Sequence, residues 1–275
     1  MSLYRRQSTP IHNSFPLPNP TSNPMSRQSF TNRTQAGLAL AAELSQRYPD
    51  ATGDSAIVLA LPRGGVPVAF PVAERQRCPL DVFLVRKIGV EGHEELAMGA
   101  IAENCAIFNQ NIIRMLKIPQ DSINRVVNRE KIELARRNDK YRQGKPPIVV
   151  RGKTVFLVDG ATMRAANKAI KEMNPAKLVV AVPVGAADTI SQMRREVDDV
   201  VCLLQPTELY GIGMWYQDFP QTEDAEVLEV LQRAARITGP PHVESVMPEE
   251  LKVSGDGAGK LEEMGRKEGA MKVEE

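Results

Sequence analysis

The sequence predicts an α/β fold in which a mostly parallel β-sheet is flanked by helices, and three observations support this prediction. First, short and wholly apolar segments recur along the chain, as is typical of strands covered on both faces of a sheet. Second, these segments alternate with segments that have the apolar spacing of amphipathic helices. Third, the connections between them are short, which favours right-handed crossovers between parallel strands.

The composition divides the chain of 275 residues into a central domain and two different ends. Residues 1–33 are rich in Ser, Pro and Asn, and residues 237–275 are rich in Glu, Lys and Gly. Neither end has an apolar stripe that could offset the entropy lost on ordering, so we expect both to be disordered. Residues 34–236 are predicted to form one domain with a sizeable core.

Four elements are predicted in the first part of this domain: helices at 34–48 and 66–77, and buried strands at 56–61 and 80–86. Thr34 is the candidate N-cap of the first helix, because threonine oxygens accept hydrogen bonds from the free N–H groups of a helix start. Pro71 lies inside the second helix and should kink or fray it, because proline has no N–H to donate.

The second part of the domain begins with two short strands around a turn at Asn104. A long helix at 119–142 follows, which starts with Pro119 and has a partial apolar stripe under many charges. Strands and helices then alternate again, with strands at 153–159, 176–184 and 199–204 and with helices at 161–173 and 186–196.

Charge and cysteine content exclude several classes of protein. The net charge is +1 with acidic and basic residues interspersed, so the chain lacks the basic field that nucleic-acid binding needs. No apolar run is long enough for a transmembrane helix, and we expect no membrane partner. The three cysteines are far apart and fit the reducing compartment of a cytoplasmic protein.

The first 33 residues are consistent with a second subcellular location. They contain arginines and no acidic residue, which is typical of mitochondrial transit peptides. However, several prolines would interrupt the amphipathic helix that such a peptide needs. A cytoplasmic location is therefore the prediction, and a mitochondrial location is the alternative.

Two strand-to-helix turns lie where ligands bind in sheets of this kind, beyond the carboxyl ends of the strands. In the first, "LPRGGVP", Gly64 and Gly65 carry no side chain, so backbone N–H groups can close on an anion and positive φ is allowed. The helix start and the charge of Arg63 would add to anion binding. The alternative is an ordinary glycine turn.

The second turn, "LVDGATM", contains an acidic residue. Asp159 ends a strand, where its carboxylate can meet sugar hydroxyls or a metal ion. Gly160, Ala161 and Thr162 begin a helix whose free N–H groups suit a phosphate. The alternative is that Asp159 serves only as the N-cap of that helix. The sequence contains no motif of nucleotide triphosphatases, dinucleotide-binding proteins, or serine and zinc hydrolases.

The sequence resembles the type I phosphoribosyltransferases, and most closely their bacterial-type branch of predicted phosphoribosyltransferases. The resemblance covers about residues 30–234 and is carried by the segments "ALPRGGVPVA", "DVFLVRKIGVEGHEELAMGAIAEN", "VFLVDGATMRAA", "VVAVPV" and "GIGMWYQDFPQTEDAEV". It implies a parallel core sheet with a small hood. It also implies a glycosyltransferase of nucleotide metabolism that uses Mg2+ to transfer ribose 5-phosphate from phosphoribosyl pyrophosphate to a nucleobase-like acceptor. Relatives often form homodimers.

The resemblance also implies roles for the residues of the first turn and the following strand. Arg63, Gly64 and Gly65 match the loop that holds pyrophosphate, which contains a cis peptide bond in many members. Arg86 and Lys87 match a basic pair near the same pyrophosphate, and Lys87 is a catalytic candidate. Catalysis would consist of holding both phosphate groups, neutralising the leaving group and excluding water, which requires cations and backbone N–H groups.

Further roles follow for three later regions. Residues 88–96 match a mobile loop that closes over the site, with Gly89 and Gly92 as candidate hinges. Asp159 matches a catalytic and metal-binding acid, and the three residues after it, Gly160, Ala161 and Thr162, match the loop that holds the 5-phosphate. The aromatic residues Trp215 and Tyr216, together with Asp218, match the groups that recognise the base. For the aromatic residues, a core cluster is the alternative.

The turn at Asp159 departs from the family pattern. About five residues are absent, including one acid, and at roughly 3.3 Å per extended residue this removes about 16 Å of chain. Losing two or three hydrogen bonds to a phosphate would reduce the binding free energy by roughly 3 to 9 kcal/mol. Three accounts follow: weak transferase activity, a catalytically silent binding or regulatory protein on the same fold, or an error in the gene model.

Overall fold

The computed structural model describes residues 29–102, 105–145, 149–158, 163–238 and 252–254. For residues 252–254 only the backbone is described. Within these ranges it confirms the predicted fold class. A five-stranded sheet has the order β2-β1-β6-β7-β8, and a four-stranded sheet has the order β3-β4-β5-β9. The strands are β1 (Ala56–Ala60), β2 (Leu80–Val82), β3 (Val85–Val90), β4 (His93–Ala102), β5 (Cys105–Phe108), β6 (Thr154–Val158), β7 (Lys177–Val184), β8 (Asp199–Leu204) and β9 (Lys252–Ser254).

Seven helices lie among the described residues. They are α1 (Arg33–Arg47), α2 (Gly65–Gln76), α3 (Gln110–Met115), α4 (Gln120–Arg142), α5 (Met163–Glu172), α6 (Ala187–Met193) and α7 (Asp224–Thr238). The sequence did not predict α3 or α7. None of the helices in the described part of the chain has the length and apolar character needed to cross a bilayer.

All neighbouring strands of the large sheet are parallel, and helices cover both faces. Along β1, Val58 and Ala60 belong to the core cluster that contains α1 and α2 residues. Ile57 and Leu59 belong to the cluster that contains α5 and α6 residues. Because successive side chains of a strand point to opposite faces, a strand covered on both sides is apolar throughout. This explains why the apolar runs of the sequence predicted these strands.

Helices α1 and α2 pack closely because Gly37 has no side chain. A Cβ atom at Gly37 would lie 2.5 Å from the carbonyl oxygen of Val68 and 3.1 Å from the Pro71 ring. Pro71 lies inside α2, which continues through it to Gln76 without interruption. The predicted fraying is therefore wrong, and the reason is that burial against α1 supports the helix around the proline ring.

Helix α1 begins one residue before its predicted start. Asn32 is its N-cap, and its side-chain oxygen accepts a hydrogen bond from the Gln35 N–H at 2.9 Å. The prediction that Thr34 caps this helix is wrong, because Thr34 already lies inside the first turn. Asparagine and threonine are both good N-caps, so the residue types alone do not decide between them.

The predicted strand at 80–86 is two strands. Its first part, β2, pairs in parallel with β1, whereas the chain from Val85 onward forms the antiparallel hairpin β3–β4 of the small sheet. The apolar run continues through Phe83 and Leu84, both buried, so hydrophobicity does not mark the division. The predicted turn at Asn104 lies outside the described residues.

Residues 88–96, predicted to form a mobile loop, lie mostly in the β3–β4 hairpin. Gly92 has φ +80° at its tip, a conformation that favours glycine. Gly89 lies where the strands approach closely, since a Cβ atom there would be 2.6 Å from the Glu94 carbonyl oxygen. The Glu91 carboxylate accepts hydrogen bonds from Ser122 at 2.6 Å and Arg125 at 2.8 Å, which joins the tip to α4.

A strap formed by residues 30–31 joins the start of the described chain to residues 215–218. The Phe30 N–H donates to the Trp215 carbonyl at 2.8 Å, and the Phe30 carbonyl accepts from the Gln217 N–H at 2.8 Å. The Asp218 N–H donates to the Thr31 carbonyl at 2.9 Å. At the other end of the chain, β9 pairs in parallel with β5.

Candidate functional site

The two strands that precede the predicted ligand-binding turns end side by side in the large sheet. Strands β1 and β6 are neighbours, with Ala60 opposite Val158. The Leu61 N–H, just beyond β1, donates to the Val158 carbonyl at 3.0 Å. The chain therefore enters residues 62–65, called here the glycine turn, next to the point where it leaves β6. The four residues that follow β6 and were predicted to bind metal and phosphate lie outside the described residues: Asp159, Gly160, Ala161 and Thr162.

The glycine turn connects β1 directly to α2. The peptide bond between Pro62 and Arg63 is cis, as the family resemblance implied for this loop. Gly64 is the N-cap of α2 with φ −63°, so its role is not the positive φ that the sequence allowed. A Cβ atom at Gly64 would be 3.5 Å from Nε of Arg33. Glycine here leaves open the space in front of that guanidinium.

Arg33 is the site residue that the sequence interpretation missed. Its guanidinium carbon lies 3.7 Å from the centre of the Phe219 ring, and Nη1 donates to the Pro220 carbonyl at 2.5 Å. Partial burial lowers the pKa of Arg33, and the charges of Glu226 and Asp218 act in the opposite direction. Within the described ranges, no carboxylate forms an ion pair with this guanidinium.

A cavity of about 80 Å³ opens at the glycine turn and is called here the aromatic cavity. Its walls come from distant segments of the chain and include Arg33, Gly64, Val158, Val184, Tyr216 and Phe219. The Tyr216 and Phe219 rings lie 4.7 Å apart at 30°. Burial raises the pKa of Tyr216 to about 12, so this wall is apolar in character and Tyr216 is neutral at physiological pH.

Trp215 and Asp218, predicted to recognise a base, lie beside this cavity. Trp215 packs against the cluster of Phe30 and Tyr216, and it is Tyr216 rather than Trp215 that lines the cavity. Asp218 is exposed, and its charge raises the pKa of Arg33. The structure therefore brings the predicted aromatic segment to the glycine turn, with Tyr216 and Phe219 as the residues in contact with the open space.

Each of the three predicted cations lies near a carboxylate, and two of them, Arg63 and Arg86, lie toward α4. Arg63 Nη1 is 3.7 Å from Glu223. Arg86 donates to one oxygen of Glu130 through Nε at 2.9 Å and Nη2 at 2.6 Å.

Lys87 projects from the other face of β3, because adjacent residues of a strand alternate. Its Nζ lies 3.4 Å from the Glu95 carboxylate across the hairpin. The basic pair of the sequence is therefore split between two environments, and neither side chain lines the aromatic cavity.

A larger hollow, of about 600 Å³, lies elsewhere, between the small sheet and α5. Its lining includes Gly99, Phe108, Lys168 and Glu196 but none of the predicted site residues. We regard the aromatic cavity as the candidate site because it lies at the carboxyl edge of the parallel sheet, where this class of fold binds ligands.

Comparison with known proteins assigns the chain to a family. The model of the phosphoribosyl transferase domain matches residues 29–214. The chain belongs to this family. Two curated relatives in two strains of Mycobacterium tuberculosis, provisionally named as phosphoribosyl transferases, are each 39% identical over 213 residues. The match covers 75% of this chain and 47% of each relative, so the chain spans about half the length of the curated relatives it matches.

A solved structure supports the same assignment. The crystal structure of TT1426 from Thermus thermophilus is 33% identical, with a TM-score of 0.65, over 74% of this chain and 98% of that chain. The type I phosphoribosyltransferase fold predicted from the motifs is thus confirmed. The family match begins at residue 29 and therefore includes Arg33 and the strap.

The described residues of this phosphoribosyltransferase-family chain contain no cluster of three or more His, Cys, Asp and Glu side chains that could hold a metal ion. The metal role predicted for Asp159 stays a prediction. Arg33 had no local signal in the sequence, because its relation to Gly64 depends on the packing of α1 against α2. Gly37, four residues later in the same helix, was the one available sign of a close helix contact.

Proposed function

We propose that this protein transfers ribose 5-phosphate from phosphoribosyl pyrophosphate to a nitrogen base. The observation that supports the proposal most directly is the adjacency of the carboxyl ends of β1 and β6, which the hydrogen bond from Leu61 to Val158 joins at 3.0 Å. A ligand with a phosphate at each end needs two anion-binding turns at one edge of a sheet. Family membership supplies the reaction class.

The reaction forms one bond and breaks one. A lone pair of the acceptor nitrogen forms the bond to C1 of the ribose, and the bond between C1 and the pyrophosphate oxygen breaks, so that pyrophosphate leaves with the electron pair. The proton on the acceptor nitrogen passes to solvent. Positive charge develops on the sugar and negative charge on the leaving group, so fixed cations near the leaving oxygen lower the barrier.

We assign the leaving group to the glycine turn. Gly64 and Gly65 allow the pyrophosphate to approach the backbone, and Arg63 lies in the same turn. Arg86 and Lys87 reach a pyrophosphate there only after they exchange Glu130 and Glu95 for the ligand. The carboxylates of Glu130 and Glu95 therefore compete with the pyrophosphate for these cations, which is consistent with weak activity.

Magnesium enters the proposal as part of the substrate, since the metal ion binds the pyrophosphate oxygens. Mg2+ prefers oxygen ligands and keeps several waters, and one or two protein carboxylates suffice to hold it. Asp159 is the carboxylate that the family pattern assigns to it. When bound, the ion neutralises charge on the leaving pyrophosphate.

The alternative function is a catalytically silent member of the family that binds a ligand or a protein. The ion pairs of Arg63 and Arg86 favour it, because these two of the three predicted pyrophosphate cations already lie next to carboxylates. The shortened turn after β6 favours it as well.

Calorimetric titration with phosphoribosyl pyrophosphate and Mg2+ decides between the two. The transferase proposal expects binding heat and a thermal shift at millimolar ligand. It also expects Gly64→Val to weaken binding by about 10- to 100-fold, because the side chain closes the anion site. Gly211→Ala is the control, since nothing lies within 4 Å of a Cβ atom at Gly211.

A folded protein that gives neither heat nor a thermal shift at millimolar ligand would reject the transferase function for this chain. Inserting the five missing residues after Asp159 then provides the complementary test. Recovery of binding would identify the short turn as the cause, and continued absence would favour the silent alternative.

A further inference from the structure

The Arg33 guanidinium occupies a slot lined by an aromatic ring and a glycine. Its carbon lies 3.7 Å from the centre of the Phe219 ring, and a Cβ atom at Gly64 would lie 3.5 Å from its Nε. The plane is fixed by stacking and by the hydrogen bond to Pro220. A guanidinium held in this way is pre-organised, so little side-chain entropy is lost when it binds a ligand.

The described residues leave most donors of Arg33 and its charge without a partner. A guanidinium has five N–H donors, and within the described residues one carbonyl, that of Pro220, accepts from it. Asp218 and Glu226 are close enough to affect its pKa but form no ion pair with it. Half-buried charges are normally paired, so an anionic ligand group is the natural partner.

The remaining walls of the aromatic cavity indicate what carries that anion. Val158, Val184 and Phe219 have side chains of carbon alone, and Tyr216 adds a ring with a single hydroxyl, so these walls do not suit an isolated phosphate. They do suit a flat, apolar ring. The volume of about 80 Å³ is small beside the roughly 300 to 1,000 Å³ of pockets for drug-sized ligands, which favours one ring over a fused pair.

We propose that Arg33 binds the carboxylate of a planar, single-ring heterocycle, and that the acceptor class of this protein is therefore a ring acid rather than a neutral base. That the ring acid is the acceptor rests on the transferase function proposed above. Arg33 acts by recognition: it fixes the ring at the glycine turn, next to the place assigned to the pyrophosphate, and takes no part in bond breaking.

The test uses a pair of ligands that differ in charge and hardly in shape, nicotinate and nicotinamide. Their affinities for the full chain are measured by calorimetry, with and without phosphoribosyl pyrophosphate and Mg2+. We expect nicotinate to bind about 10- to 100-fold more tightly than nicotinamide, because only its carboxylate can form a charge-assisted contact with Arg33. Consumption of phosphoribosyl pyrophosphate should follow the same preference.

Variants of Arg33 identify the residue responsible. Arg33→Gln should remove the preference for the acid, and Arg33→Lys should restore part of it, because lysine keeps the charge but not the planar fork. Arg47→Gln, at the other end of α1, is the matched control and should keep the full preference. Thermal unfolding of each variant shows whether it is folded.

Three outcomes would overturn the proposal. One is equal affinity of the wild-type chain for nicotinate and nicotinamide, a comparison that needs no variant to fold. The second is a preference that survives in Arg33→Gln. The third is an effect of Arg33→Gln on pyrophosphate binding alone. If phosphoribosyl pyrophosphate itself fails to bind while nicotinate is still preferred, the transferase function fails and the ring-acid site stands.

Discussion

The two sides of the glycine turn differ in how their positive charges are balanced. Toward α4, Arg86 lies 2.6 Å from the buried carboxylate of Glu130, and Arg63 lies 3.7 Å from Glu223. Toward α1, Arg33 contacts a ring and a carbonyl oxygen, and no carboxylate in the described part of the chain pairs with it. The cations on the two sides therefore have different tasks.

This difference shows that a cation in a site is not by itself a ligand-binding group. An arginine paired with a buried carboxylate is required where it is, because removing one partner leaves the other buried and uncompensated. An arginine that is ordered without a carboxylate binds an anion without breaking an ion pair. Three substitutions test this contrast, one on the α4 side, one on the Arg33 side and one on the cavity wall between them.

The largest effect is expected on the α4 side. Glu130→Ala removes a carboxylate that is 8% exposed and leaves Arg86 without its partner. Breaking such a buried pair lowers the free energy of unfolding by about 3 kcal/mol. Urea unfolding monitored by circular dichroism measures the change.

Glu133→Ala, one turn later in α4, is the control for this substitution. Glu133 pairs with Arg136 and Arg137 at the helix surface, so its loss should leave the urea midpoint almost unchanged. Equal midpoints for the two variants would mean that the Arg86–Glu130 pair does not stabilise the fold, and the contrast between the two sides would then be lost.

The next effect concerns how Arg33 is positioned. Gly37→Ala places a Cβ atom 2.5 Å from the Val68 carbonyl oxygen, so α1 and α2 must separate. Alanine normally stabilises a helix relative to glycine by up to about 1 kcal/mol, but overpacking against backbone should give a net loss of about 1 to 2 kcal/mol.

Because Arg33 belongs to α1 and Gly64 to the start of α2, the same substitution should weaken nicotinate binding. Urea unfolding and calorimetry on one sample measure both effects. A Gly37→Ala variant that is more stable than the wild type and binds equally well would show that the close helix contact does not set the geometry of the slot.

The smallest effect is the pH dependence caused by Tyr216. Burial raises the pKa of Tyr216 from 10.0 to about 12, so the folded state holds its proton more tightly than the unfolded chain. The contribution of protonated Tyr216 to the free energy of unfolding is complete below pH 10 and is lost as the pH rises through about 12. At pH 11, midway between the two pKa values, about half of this contribution is lost, which lowers the free energy of unfolding by about 1 kcal/mol.

Tyr216→Phe removes this contribution, so the difference in stability between the variant and the wild type should change by about that 1 kcal/mol between pH 8 and pH 11. Tyr141→Phe on the α4 side is the comparison. It also removes the hydrogen bond to Asp224 and should destabilise already at pH 8. A pH-independent difference for Tyr216→Phe would mean that this wall of the cavity is hydrated.

The large sheet was predictable from the sequence because its strands are covered on both faces, which makes each one a continuous apolar run. The small sheet was predictable in part: the two short strands expected around Asn104 correspond to the end of β4 and to β5. The start of β4 was missed, since His93–Ala102 begins with polar residues and pairs with residues across a tip that contains Gly92. The division between β2 and β3 was missed for a similar reason: buried Phe83 and Leu84 continue the apolar run while the chain changes sheet.

The position of the candidate site was predictable from the sequence, but the partners of its charged side chains were not. Glycines and a cation beyond β1 predicted an anion-binding turn, and the turn lies beside the end of β6 as expected. The pairing of Arg86 with Glu130 joins residues far apart in the sequence, and no local pattern reports it. The same holds for Arg33 and Phe219, which only the packed structure brings together.

The strap of residues 30–31 has a practical consequence for anyone who prepares this protein. A polypeptide that starts at residue 34 would retain every strand of the large sheet, yet it would lack Arg33 and the Phe30 hydrogen bonds that hold the Trp215–Asp218 segment. Its failure to turn over substrate would then be an artefact of trimming. Deciding whether the natural protein is silent therefore requires a chain that begins upstream of Phe30.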